Sequence, residues 1–411
     1  MNRATLTSVL LFCIFFSISA HSSVIKLAYA KEFKQFSGSP EKSSLYAVWA
    51  DSGEPVSAFQ EDLPLVPASS LKIATAFCAL KELGNEKRFT TRFLSDGPIQ
   101  NSSLKNLWVA GDGDPSLVIE RLWLMVQQLK RMGLKTVAGN IYIDNSYFDS
   151  ETFPGHQKQS QRAFNAPLSA VALNYNAIDI SSDPEKPIYR RVDDPVRHFG
   201  EELAKLFKEN SVTFNGKVKE GSAKNKTEIT SFQSRRLNQI VQDMNKFSNN
   251  FIAEQLVKVM GAEKKGIPGT TQKGVDVLRE CLAKIGVREE LMIENGSGLS
   301  YKNKISAKNL VKILLAGYHD FSIQPEFLSS LSINGIDGTM AKRDSPKELE
   351  GIFRGKTGSL NGVNSLTGFL PAKSGRVIAF AILMNDFNGG MQHAHKVQDK
   401  LIMQLLEAIK E

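Results

Sequence analysis

At 411 residues with 42% hydrophobic side chains, the chain can bury a large core and reads as two domains, or one domain with an insertion, which excludes a disordered polymer. Its formal charge of +8 comes from lysines and arginines spread along the sequence without long runs. A basic arm for DNA or RNA is therefore not indicated, and a mildly basic soluble protein is.

The chain opens on Arg3, the apolar run Val9-Leu10-Leu11-Phe12-Cys13-Ile14-Phe15-Phe16 and the small residues Ser17, Ser19 and Ala20. That is the pattern of a secretory leader, too short in its apolar part to span a bilayer. Residues 1–30 are read as a signal peptide cleaved after Ala20 or after Ala28-Tyr29-Ala30. Cys13 follows the bulky Phe12, which argues against a lipid anchor. The remaining cysteines, Cys78 and Cys281, both stand in helical patterns. They form neither a disulfide framework nor a metal knuckle and are expected as buried thiols, although export leaves a bridge open.

A strand is predicted at Leu45 to Trp49, before the turn Asp51-Ser52-Gly53-Glu54-Pro55. A helix should begin at Ser69, with its body from Leu71 to Leu83 and a left-handed cap at Gly84. Strands at Phe89 to Phe93, Leu107 to Ala110 and Gly139 to Asp144, with a helix near Leu117 to Arg131, make a mixed module. The charged stretch from Pro184 to about Ser231, with a helix at Val196 to Lys208, continues it. Residues 89–234 are read as an inserted α+β domain within a catalytic domain of residues 31–88 and 235–411. Helical periodicity returns at Leu237 and runs through Leu256, then over Val275 to Ile285 and Ala307 to Tyr318. Ile352 to Arg354, Ser365 to Leu370 and Val377 to Leu383 suggest an antiparallel meander. In the last helix Val397, Leu401, Leu405 and Ala408 or Ile409 form an apolar face expected to pack on that sheet.

Three short motifs carry chemistry. In Pro67-Ala68-Ser69-Ser70-Leu71-Lys72, a serine and a lysine three residues apart share one helical face, so the amine reaches the hydroxyl. A lysine whose pKa is lowered by burial can activate such a hydroxyl. Taken alone, Ser69 also fits a helix cap. Ser248-Asn249-Asn250 adds a hydroxyl able to relay a proton and an amide able to hold both the lysine and a substrate carbonyl. Lys356-Thr357-Gly358-Ser359, after the strand at Ile352 to Arg354, offers a strand edge for an extended peptide and groups to hold a carboxylate. Gly358 permits close backbone approach.

The order Ser-x-x-Lys, Ser-x-Asn, Lys-Thr-Gly resembles penicillin-binding proteins and serine β-lactamases. The spacings, 179 residues from Ser69 to Ser248 and 108 from Ser248 to Lys356, are similar to those of D-alanyl-D-alanine carboxypeptidases/endopeptidases of the penicillin-binding protein 4 type, peptidase family S13. Supporting segments are Ala110 to Pro115, Asn165 to Ala170, Asn295 to Ser300, Asp337-Gly338-Thr339 and Gly362 to Ser365. The resemblance implies an α/β serine β-lactamase/DD-peptidase-like transpeptidase fold. It implies that Ser69 attacks the D-Ala-D-Ala carbonyl with Lys72 as base, and that Ser248 relays a proton. Asn250 would hold Lys72 and the substrate amide, Lys356 and Thr357 the terminal carboxylate, and the N–H groups of Ser69 and Ser359 the oxyanion. Stem peptides ending in D-Ala-D-Ala are the expected substrates and β-lactams the covalent inhibitors, with no metal or organic cofactor and no nucleic acid partner. Homodimerisation stays open.

Two departures stand out. Asn249 replaces an aspartate common in relatives, at a position that points away from the chemistry. Between Ile180 and Pro195 the chain is short where longer relatives carry an additional module. A β-lactamase of the same fold and an inactive wall-binding scaffold are the rival readings; the long insertion and the three intact motifs weigh against them. His393-Ala394-His395 lacks companions for a metal site and is expected in a solvated loop. Glu294 and Asp337 are read as structural residues of glycine-rich turns. An exported location, in the periplasm or cell-wall space, follows from the leader.

Overall fold

The computed structural model describes residues 40–151, 165–183, 185–387 and 390–407. The leader at residues 1–30, Pro184, Ala408 and Ile409 lie outside the described residues.

The elements that position the site are, in chain order, β1 (Ser43–Trp49), β2 (Pro55–Phe59), α1 (Lys72–Leu83), β3 (Thr90–Ser95), β4 (Leu107–Gly111), α2 (Ile119–Arg131), β5 (Ile141–Asp144), α3 (Pro195–Glu209), β6 (Val218–Glu220), β7 (Thr227–Gln233), α4 (Leu237–Lys246), α5 (Asn250–Lys265), α6 (Thr271–Ala283), α7 (Ala307–His319), β8 (Ser332–Ile333), β9 (Arg354–Leu360), β10 (Val363–Pro371), β11 (Val377–Asn385) and α8 (Gly390–Glu407). The expected helices form within a few residues of the predicted bounds. The long helical run after Leu237 is broken, however: α4 ends at Lys246 and α5 starts at Asn250, with Ser248 in the left-handed region at φ 53°.

A six-stranded sheet runs β8-β9-β10-β11-β1-β2, with every neighbouring pair antiparallel. The first strand pairs with the last, Leu45 facing Ile382, so the two ends of the sequence share one sheet. Strand β2, unforeseen in the sequence, lies at the edge, where Pro55 lacks no ladder partner that it needs. Period-2 alternation divides β11 between two cores. Ala379, Ala381 and Leu383 pack with α1 and α4 to α7, while Ile378, Phe380, Ile382 and Met384 pack with Val397, Leu401, Ile402 and Leu405 of α8. The apolar face of α8 thus lies on the sheet, as its spacing predicts. His393 and His395 belong to that helix rather than to a solvated loop, and burial, then the Arg343 charge, pushes the His395 imidazole down to about 4.

A second sheet, ordered β6-β5-β4-β3-β7, builds its own core from Phe93, Val109, Ile141 and Ile143, with Leu122, Val126 and Leu129 of α2 and Phe199, Leu203 and Phe207 of α3.

The thiol expectation is corrected. Cys78 in α1 and Cys281 in α6 are joined by a disulfide, their Cα atoms 5.9 Å apart although 203 positions separate them in sequence. Both helices contribute to one apolar core, which brings the two side chains together. A Cys78→Ser/Cys281→Ser double variant is expected to lose about 2–4 kcal/mol of stability, read as a lowered denaturant midpoint.

Candidate active site

Ser69 lies in a tight 3-10 turn, Ala68–Leu71, and Lys72 is the first residue of α1. Ser69 is therefore on the turn that leads into the helix, one step earlier than the pattern predicts. Ala68 has φ 48°, a conformation that costs a non-glycine residue energy and is held by its surroundings. Gly298 packs so closely against it that a side chain there would meet the Ala68 carbonyl oxygen at 1.9 Å.

Lys72 is fully buried. Its Nζ lies 2.9 Å from Ser69 Oγ, 2.6 Å from Asn250 Oδ1 and 2.6 Å from the Ser297 carbonyl oxygen. Burial pushes the amine down to about 7, while the Glu254 carboxylate pulls it up. Two of its three neighbours, the Asn250 and Ser297 oxygens, can only accept. A neutral amine has two N–H groups and one lone pair. Both N–H groups are consumed by the two acceptors, and the lone pair is left facing the Ser69 hydroxyl.

Asn250 reaches this point because it opens α5, whose cap is Asn249. The Asn249 side chain accepts the Ile252 N–H at 3.0 Å. The middle residue of the motif thus turns away from Lys72, as expected. Ser248 Oγ lies 3.0 Å from Lys356 Nζ, which also donates to the Thr357 carbonyl at 2.8 Å.

The Lys-Thr-Gly run is inside strand β9 rather than after a strand. Lys356 is fully buried, and burial, then the nearby Lys72 charge, pushes its amine well below the ordinary lysine value. An arriving carboxylate would favour its charged form. Thr357 Oγ1 is 2.8 Å from Thr339 Oγ1, so a second hydroxyl stands beside it. Gly358 has no room for a side chain: a Cβ would lie 2.5 Å from the Pro67 carbonyl and 2.9 Å from Ser69 N. The strand therefore passes directly against the Ala68–Leu71 turn, and Ser359 follows on its exposed side.

Sequence reasoning missed the residues that fasten these parts. Ser365 Oγ donates to the Pro67 carbonyl at 2.6 Å, and Ser70 Oγ lies 2.8 Å from Ser365 Oγ and 3.2 Å from the Lys356 carbonyl, its single proton serving one of the two at a time. Buried Glu254 accepts the backbone N–H groups of Gly296 and Ser297. The only signal for it was its place four residues after Asn250, one turn along the same face. Glu294 pairs with Lys302 and Asp337 with Lys246, structural roles in keeping with their turns.

Beside Ser248 and Asn250 opens a cleft of about 1040 Å³, lined also by Tyr175, Ile178, Tyr189 and Glu202. Among the described residues no three His, Cys, Asp or Glu side chains gather as a metal site, and no helix is long and apolar enough to cross a membrane.

A serine, a buried lysine, a second serine–asparagine pair and a lysine-bearing strand edge, so arranged, can run acyl transfer. The fold and the chain have close parallels. The solved penicillin binding protein 4 (dacB) of Haemophilus influenzae superposes with a TM-score of 0.82 over 92% of this chain and 99% of that one, at 23% identity. A predatory peptidoglycan endopeptidase of Bdellovibrio bacteriovorus shares the fold at a TM-score of 0.60 and 19% identity, over 89% and 92% of the two chains. In sequence, a D-alanyl-D-alanine carboxypeptidase of an Actinomadura species is 27% identical over 84% of this chain and 77% of its own length. The family model for D-Ala-D-Ala carboxypeptidase 3 (S13) matches residues 33–187 and 180–408. By that match, which takes in all three motifs, the chain belongs to the D-Ala-D-Ala carboxypeptidase 3 (S13) family.

Proposed function

We propose that Ser69 is the nucleophile through which this serine-type D-Ala-D-Ala carboxypeptidase acts, forming an acyl-enzyme with its peptide. The observation that carries the reading is the fully buried Lys72 amine 2.9 Å from Ser69 Oγ, its other two neighbours both acceptors. Neutral Lys72 takes the hydroxyl proton as Ser69 Oγ attacks the carbonyl between the two D-alanines. The oxyanion is held by the N–H groups of Ser69 and Ser359. Ser248 passes a proton to the departing D-alanine amine as the C–N bond breaks. Asn250 orients Lys72 and the substrate amide, and Lys356 with Thr357, beside Gly358, holds the terminal carboxylate. Water then hydrolyses the ester. A penicillin acylates the same oxygen, and the adduct turns over slowly.

The cleft beside Ser248 supports a further capacity, cleavage of peptide cross-links. Its volume leaves space on the side where the leaving amine is protonated for a group larger than D-alanine. The separate apolar cores support a division into a catalytic domain, residues 31–88 and 235–411, and an inserted domain, residues 89–234. The leader pattern and the Cys78–Cys281 disulfide together support an exported protein of the periplasm or cell-wall space.

The test is release of D-alanine from a peptide ending in D-alanyl-D-alanine. One equivalent per peptide is expected, and none after pretreatment with a penicillin. Release that persists undiminished after stoichiometric penicillin would contradict the reading.

A further inference from the structure

Glu254 is 5% exposed, and it makes no contact with Ser69 or with the Lys72 amine. Its carboxylate accepts two consecutive backbone N–H groups, Gly296 at 3.2 Å and Ser297 at 2.8 Å. Those N–H groups bracket Gly296, and the second belongs to the residue whose carbonyl takes one of the two N–H groups of a neutral Lys72. The same loop is pinned at two more points. Thr75 Oγ1 in α1 donates to the Gly296 carbonyl at 2.7 Å, and Gly298 is packed on Ala68.

A neutral amine can aim its lone pair at Ser69 only while both acceptors stay in place. Asn250 Oδ1 is fixed at the start of α5. The Ser297 carbonyl belongs to an irregular loop, which has no helix or ladder to fix it. Glu254 supplies that constraint from α5 itself, so one helix positions both acceptors, Asn250 directly and Ser297 through the loop.

We propose that Glu254 is a positioning residue which, by clamping the Gly296 and Ser297 N–H groups, holds the Ser297 carbonyl in place and thereby directs the Lys72 lone pair at the Ser69 hydroxyl. The proposal rests on the reading of Ser69 and Lys72 given above. The clamp also carries charge into the site. The ionisable groups acting on the Lys72 amine are Glu254 from α5 and Lys356 from β9, the remaining partners being uncharged. Burial pushes the Glu254 carboxyl up and its N–H bonds pull it down. Its anionic form favours the Lys72 ammonium, so removing that charge lowers the pH at which Lys72 becomes a free base.

Two substitutions separate position from charge. Glu254→Gln removes the charge and turns an amide N–H toward a donor it should accept from. Glu254→Asp keeps the charge but shortens the reach by one methylene, too short to span both N–H groups. The measurement is the second-order rate constant for acylation by a penicillin across pH, with melting temperature recorded for each variant. Both variants should lose roughly 10²-fold at the high-pH plateau, the scale of a reacting pair misplaced by about an ångström. The acid limb should move to lower pH in Glu254→Gln and stay in place in Glu254→Asp. A role in stability alone would lower the melting temperature and leave plateau and limb unchanged in whatever protein remains folded, and that result overturns the proposal. If Glu254→Gln does not fold, the Asp variant decides by its plateau. If the native protein is not acylated while folded, the reading of Ser69 fails first, which keeps the two failures distinct.

Discussion

Ser69→Ala is expected to lower kcat/KM for D-alanine release by at least about 10⁴-fold while leaving the melting temperature almost unchanged. The size follows from what is removed. Without Oγ no acyl-enzyme forms, and what remains is the smaller acceleration from binding and an oxyanion site, as in serine enzymes stripped of their nucleophile. Stability is spared because Ser69 is only partly buried and its side chain bonds to Lys72 alone among the hydrogen bonds around the site. Losing that bond still leaves the amine two acceptors. Parallel assays of D-alanine release and thermal unfolding check both halves.

The second large effect concerns Lys72. Its amine is pushed down to about 7 by burial, so near pH 7 a substantial part is already neutral. The base form gains population as pH rises. Acylation of the native protein should therefore increase through about pH 7 and level off above it, with the ammonium form below that point unable to accept the Ser69 proton. Lys72→Arg preserves positive charge but abolishes the base, because a guanidinium stays protonated at any accessible pH. A loss of roughly 10³-fold or more is expected, with no recovery at alkaline pH, at the upper part of the usual contribution of a positioned base. A pH–rate profile of penicillin acylation measures both. An Arg variant that recovers above pH 9 would show that another group takes the proton.

Much of this site was written locally in the sequence. Ser69 and Lys72 needed only a helical turn to meet, and the cap at Gly84 and the alternation of β11 are set by residues within a few positions. The parts that were not legible depend on distant segments. Nothing near Cys78 points to Cys281, and they meet only because α1 and α6 pack in one core. Ser70 and Ser365 look like ordinary serines until β10 is laid beside the turn that carries Ser69. Glu254 looks like one more charge on a helix, and its function exists only when the Gly296–Ser297 loop arrives over it. The Lys-Thr-Gly run lies inside β9 although Gly355 and Gly358 lower local strand propensity. In the fold both sit where a neighbouring backbone comes close, Gly355 beside the Thr367 carbonyl and Gly358 beside Pro67 and Ser69.

The most direct test of the central claim is intact-mass analysis of the purified protein after exposure to a penicillin, beside Ser69→Ala. A stable mass increase of one penicillin is expected on the native protein and none on the variant. A folded native protein that shows neither adduct nor penicillin hydrolysis, or a Ser69→Ala variant that is acylated as readily, would contradict it.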